Sequence, residues 1–140
     1  MIKKLVLLMV LLTAVLLTAC GGSATTSVVS ADVNPATLPA TVDVKTVAAV
    51  KERDDVVLLD VREQWEYDEG HIPGVTLIPM NEVASRLSEI PTDKEVIVTC
   101  RSGNRSGQIA DFLRAQGFDN VHNMQGGIIA WEAAGLPVDR

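Results

Sequence analysis

The sequence predicts an α/β domain with a mainly parallel central sheet and helices on both faces. Two observations predict it. Short, continuous, β-leaning apolar runs recur at 56–59, 75–78 and 96–98, as expected of strands covered on both faces. Between and after them lie stretches whose apolar residues fall at helical spacing, and strands separated by helices pack as parallel crossover units.

The elements follow in order. Residues 1–19 carry Lys3 and Lys4, no acid, and an apolar run from Leu5 to Leu17, the charge order of a secretory signal and too short for a membrane span. Residues 20–40 are dominated by Gly, Ser, Thr, Ala, Val and Pro, with Asp32 as the only charge. That composition cannot offset its ordering entropy, so the segment is expected to be a flexible tether, stiffened at its far end by Pro35 and Pro39. The folded domain is expected over 41–140. Asp43 can cap a helix carrying Val44, Val47 and Ala48. After the strand at 56–59 and the short run at 75–78, Val83, Leu87 and Ile90 suggest a helix stopped by Pro91. Val96, Ile97 and Val98 form the strongest buried strand. Ile109, Phe112 and Leu113 mark one face of a helix ended at Gly117. Asn120-Val121-His122 reads as a last strand and 128–133 as a last helix.

The length of 140 residues admits one domain, since without the leader 121 remain. Twelve basic against 18 acidic side chains give −6, and loss of Lys3 and Lys4 takes this to −8. Such a chain does not grip nucleic acid or an anionic membrane surface through bulk charge, so any anion it handles must be met by a local site. The 47% hydrophobic content is inflated by the leader and does not support a multi-span membrane protein.

Leu17-Thr18-Ala19-Cys20 resembles the lipobox of bacterial lipoproteins. The resemblance implies cleavage before Cys20, lipid on that cysteine and an extracytoplasmic, membrane-tethered protein. In a two-membrane organism Gly21, not an aspartate, favours the outer membrane. With Cys20 lipidated, Cys100 has no disulfide partner. A solitary thiol in an oxidising compartment must be buried or employed.

In parallel α/β folds, ligands bind beyond the carboxyl ends of the strands. Asp60 and Cys100 stand at two such ends. Cys100-Arg101-Ser102-Gly103-Asn104-Arg105 then runs to a helix start without a bulky apolar residue. Gly103 lets the loop curl, so that backbone N–H groups form an anion nest around the sulfur, and the next helix adds its positive end. With Arg101 and Arg105 alongside, the Cys100 pKa should fall well below the roughly 8.5 of a free thiol.

These residues resemble the rhodanese-like sulfurtransferases of the small single-domain kind, over about 41–140. The resemblance rests on Asp60-Val61-Arg62-Glu63 with Glu66-Tyr67, on Gly70-His71-Ile72-Pro73-Gly74, on the loop from Cys100 to Arg105, and on Gly126-Gly127 with Trp131. It implies a sulfurtransferase that moves sulfane sulfur from a donor such as thiosulfate to a thiol or cyanide acceptor, through a Cys100 persulfide and without a cofactor. Once the thiol is ionised no general base is needed. Backbone donors of Arg101, Ser102, Gly103, Asn104 and Arg105 would hold the terminal sulfur, with Arg101 gripping the departing sulfonate and Arg105 closing the loop. Asp60 and Arg62 are implied as support for the loop.

A phosphatase cradle of the Cys-x5-Arg type needs arginine at position 106, where Ser106 stands. Loop size therefore disfavours a phosphatase-like or arsenate-reductase-like thiol enzyme. A persulfide carrier serving a protein partner, and a non-catalytic binding module, also stay open. The blander readings are an exposed Arg62–Glu66 helix pair, a Gly126-Gly127 turn into the last helix, and a core Trp131. His71 and His122 lack the clustered acids or thiols of a metal site, and none is expected. Thr99 departs from many relatives, which carry an aromatic residue there.

Overall fold

The computed structural model describes residues 33–140; the expected signal segment, the lipidation site Cys20 and the first part of the expected tether lie outside the described residues. Five strands, β1 (Thr41–Val42), β2 (Val56–Asp60), β3 (Thr76–Leu77), β4 (Glu95–Thr99) and β5 (Val121–Met124), form one sheet in the order β1-β5-β4-β2-β3. Every pairing is parallel. Four α-helices, α1 (Val44–Val50), α2 (Gln64–Glu69), α3 (Asn104–Ala115) and α4 (Gly127–Ala133), connect or follow the strands. Among the described residues no helix is long and apolar enough to cross a membrane.

The period-two geometry of the strands splits the apolar run of β4 between two cores. Val96 and Val98 face a cluster with Leu59, Ile109 and Leu113, under α3. Ile97 faces the other way, into a cluster with Val47, Val50, Met124 and Trp131, under α1 and α4. All three β4 residues are fully covered, and burying one such side chain contributes about 1.5–3 kcal/mol. Asp43 caps α1, its Oδ1 accepting from the Thr46 N–H at 2.8 Å. Gly117 ends the turn after α3 at φ +96°, a left-handed conformation suited to glycine.

Two expectations are corrected. The helix over Val83, Leu87 and Ile90 is absent, replaced by two separate 3-10 turns, Val83–Ser85 and Leu87–Glu89, parted at Arg86 with φ −119°. The Ser85 hydroxyl donates to the Glu82 carbonyl at 2.8 Å, and such local bonds compete with a helix too short to offset its nucleation cost. The apolar spacing is still used, because Val83 and Ile90 are buried and Leu87 packs against the first core.

The far end of the expected tether is folded. Pro35–Thr37 forms a 3-10 turn capped by Asn34, Pro35 is buried, and Val33 and Leu38 pack against the second core. The Pro39 carbonyl faces His122 Nδ1 at 2.8 Å, and the Ala40 carbonyl accepts from the Asn123 N–H at 2.9 Å. The packed chain therefore begins by Val33 instead of Thr41, because edge strand β1 leaves apolar surface that these residues cover.

Candidate active site

Parallel pairing of β2 with β4 puts Asp60 opposite Thr99, so both strands end at one edge of the sheet. Cys100 follows directly. Gly103 turns the chain with φ +96° and becomes the N-cap of α3, so Asn104 and Arg105 already belong to its first helical turn. The loop curls around the sulfur: the Gly103 N–H donates to Cys100 Sγ at 3.1 Å, and Ser106 Oγ lies 3.4 Å from it. Burial pushes the thiol pKa up. The Ser106 hydroxyl and the N–H groups of Ser106, Ser102 and Gly103 outweigh it, and the net pKa lies below the ordinary 9.0. Hydrogen bonds thus lead this shift, as the expected nest of backbone N–H groups implies, with the Ser106 hydroxyl added to it.

Ser106 is the residue that sequence reasoning missed, having noted it only as the absent arginine of a phosphatase loop. It is fully buried, and its hydroxyl also lies 2.7 Å from Asn123 Oδ1 on β5. A hydroxyl six residues after the cysteine and one turn into the helix was the available signal. Cys100 itself is only 1% exposed, so a reactant must bring its sulfur into the recess.

Arg105 is held by a carboxylate, and the Cys100 charge acts on it only as a lesser influence. Its guanidinium forms two hydrogen bonds of 2.7 Å to the Glu66 carboxylate. That fork holds the Glu66 carboxyl below its ordinary value and raises Arg105. The expected exposed Arg62–Glu66 helix pair is corrected on the same ground. Arg62 precedes α2, is only 4% exposed, and pairs with Asp60 at 2.7 Å. Its Nη1 donates to the Glu66 carbonyl at 3.1 Å, and Nη2, the nitrogen nearest Asp60, also donates to the Gly70 carbonyl at 2.8 Å. Asp60 makes no bond to the cysteine loop. It reaches the loop at one remove: it pairs with Arg62, Arg62 holds the Glu66 carbonyl of α2 and the Gly70 carbonyl that follows it, and the Glu66 carboxylate grips Arg105.

Gly126 and Gly127 do shape a turn into α4, but they also seat the loop. A Cβ on Gly127 would lie 2.3 Å from the Cys100 carbonyl oxygen, and its φ is +56°. The Ile128 and Ile129 N–H groups donate to the Cys100 and Arg101 carbonyls at 2.9 and 3.2 Å. Both carbonyls are thereby turned away from the sulfur, leaving N–H groups to face it. Trp131 is core, its Nε1–H donating to the Pro137 carbonyl at 2.8 Å. Thr99 is buried at the end of β4, its hydroxyl 3.4 Å from the Cys100 carbonyl.

Ser102, on the loop, and Asn104, at the start of α3, are exposed. Arg101 is also exposed and, alone among the three arginines here, has no carboxylate partner among the described residues. It borders a cleft of about 740 Å³, together with Arg62, Trp65, Glu66, Arg105 and Ile129. His71 stacks on Tyr67 at 3.8 Å with Nδ1 at the Tyr67 carbonyl, and His122 contacts Glu95 and Pro39. The two histidines serve structural contacts away from the thiol.

A thiol held in a ring of N–H donors at the carboxyl end of a parallel strand defines a domain built for thiolate-based group transfer. The chain belongs to the rhodanese-like domain family, which it matches over residues 43–134. It is 46% identical over 85 residues to a sulfurtransferase of Allochromatium vinosum, covering 61% of this chain and 79% of that one. It is 39% identical over 83 residues to the thiosulfate sulfurtransferase GlpE of Pseudoalteromonas translucida, covering 59% and 79%. Among solved structures, a rhodanese-related protein of Thermoplasma volcanium superposes with a TM-score of 0.67 at 30% identity, covering 72% of this chain and 98% of the other. Sulfur transfer by an enzyme of this family is the general activity these relatives support.

Proposed function

We propose that the domain carries sulfane sulfur from a donor such as thiosulfate to a thiol or cyanide acceptor as a persulfide on Cys100. The observation that carries the reading is the inward Gly103 N–H at 3.1 Å from Sγ, with Ser106 beside it. The Cys100 thiolate attacks the outer sulfur of thiosulfate. A bond forms between Sγ and that sulfur while the donor's S–S bond breaks, and its electron pair leaves on sulfite. An acceptor thiolate or cyanide then takes the terminal sulfur and returns Cys100 as thiolate. Each displacement conserves electrons without cofactor or general base.

Arg101 is the residue assigned to the sulfonate, since Arg105 is held by Glu66. Asn104 and Ser102 shape the loop. A second reading, a persulfide relay to a protein, draws support from the covered cysteine, because sulfur carried on a side chain only 1% exposed would be sheltered from bulk reductants. We further propose that Cys20 bears the lipid and that the domain works outside the cytoplasm.

Mass spectrometry of the purified chain after thiosulfate tests the central step. One added sulfur atom is expected, and none on Cys100→Ser. An unmodified wild type, or turnover of aryl phosphate or arsenate in place of thiosulfate, would overturn the reading. Replacing Cys20→Ser should release the chain from the membrane fraction; continued membrane retention would refute the lipid assignment.

A further inference from the structure

Trp65 and Ile129 are the only large hydrophobic side chains exposed among the described residues, at 62% and 49%. Both border the cleft beside the cysteine loop, Trp65 on α2 and Ile129 on α4. A cleft of about 740 Å³ belongs to the size range of sites that bury much larger ligands than thiosulfate or cyanide. Cleft charge is distributed unevenly. Arg62 is neutralised by Asp60, Arg105 by Glu66, and Glu132 by Arg140. Arg101 remains near the loop, while Glu63 and Glu69 line the α2 side and have no ion pair among the described residues.

We infer that the acceptor is a protein, presenting a cysteine on a protruding segment flanked by an apolar side chain and a basic one. The inference rests on the sulfur-transfer reading of Cys100. Three features favour such an occupant over a small thiol. Cys100 is 1% exposed, so the incoming thiol must project into the recess, as a cysteine at the tip of a turn can. Trp65 and Ile129 offer apolar contact that a free amino acid or cyanide does not use, and exposed tryptophan is characteristic of protein-binding sites. Glu63 and Glu69, on a chain of net charge −6, complement a basic partner and repel an acidic one.

The test drains sulfur from persulfide-loaded full-length chain in a single turnover, followed by mass spectrometry of Cys100. Three probes are compared: free cysteine, a pentapeptide with central cysteine flanked by leucines and terminal lysines, and its twin with terminal glutamates. The lysine peptide should drain sulfur at least about tenfold faster than free cysteine, the size of effect expected of an aromatic anchor. In Trp65→Ser/Ile129→Ser that ratio should collapse to within about threefold. Glu63→Gln/Glu69→Gln should lose most of the preference for lysine over glutamate ends. Differences in probe thiol acidity are the same for every protein and cancel when each ratio is compared between wild type and variant.

Free cysteine draining as fast as the peptide would assign the cleft to small thiols and overturn the inference. So would ratios that survive in both variants. Failure to load Cys100 at the outset would instead overturn the sulfur-transfer reading, and this inference with it.

Discussion

Arg105, in the first turn of α3, grips Glu66 on α2 with both contacts at 2.7 Å across 39 positions of sequence. This bidentate fork ties the far end of the cysteine loop to the segment that Arg62 and Asp60 hold in place.

Breaking the fork from either side should loosen the loop. Glu66→Gln and Arg105→Ala should each cost on the order of 1–3 kcal/mol in chemical denaturation. Their double variant should cost less than the sum, because the two act through one contact. Glu66 is ionised in the folded protein with its pKa depressed below 4.5. Its stabilisation is therefore complete above about the unfolded value and is lost as pH falls through the folded pKa. Glu66→Gln should flatten that acid limb; an unchanged limb would place the acid sensitivity elsewhere.

Persulfide formation should rise with pH through a midpoint below the 9.0 ordinary for a thiol, since the thiolate is the attacking species and its pKa is lowered. Ser106→Ala removes the leading hydrogen bond to the sulfur, so the midpoint of the loading-rate profile should move upward. The same change should reduce stability by about 1 kcal/mol, as the Asn123 side-chain amide loses its contact with the hydroxyl. A profile whose midpoint stays in place would show that backbone N–H groups alone set the thiol.

Gly127→Ala forces a Cβ to within 2.3 Å of the Cys100 carbonyl oxygen at positive φ. The left-handed backbone costs about 1–2 kcal/mol and the overpacking about 1–3 more, so thermal stability and sulfur loading should fall together. Gly135→Ala provides the contrast. Its φ is +71° but nothing lies within 4 Å of the added atom, so only the backbone cost of about 1–2 kcal/mol is expected, with loading retained. Equal effects at the two glycines would contradict the close seating of the loop on α4.

A chain starting at Thr41 should be less stable than one starting at Val33 by about 2–4 kcal/mol. The shorter form lacks buried Pro35 and the packing of Val33 and Leu38. It also lacks the Pro39 and Ala40 carbonyls that meet His122, Asn123 and Arg114. Thermal melts of the two forms decide it, and coincident melts would mean that 33–40 adds no net stabilisation.

Much of the fold was legible along the chain because it depends on local pattern. The run Val96-Ile97-Val98 is apolar at every position, which only a strand covered on both faces requires, and it became β4 between two cores. Asp43 announced the start of α1 by the chemistry of its side chain. The segment around Val83, Leu87 and Ile90 was misleading, because the same apolar spacing can be met by two tight turns once Arg86 departs from helical angles.

The site divides along the same line. Sequence by itself determined the order of strand, cysteine, Gly103 and helix, and with it the likeness to sulfurtransferases, since a curled loop between two regular elements is a local affair. Only the tertiary structure decided the partners. It paired Arg105 with Glu66, gave Arg62 to Asp60, and placed Ser106 beside Cys100 and Gly127 against the loop's carbonyls. Ion pairs and close backbone approaches form wherever parallel strands and their helices bring distant residues together, and spacing along the chain carries no record of that distance.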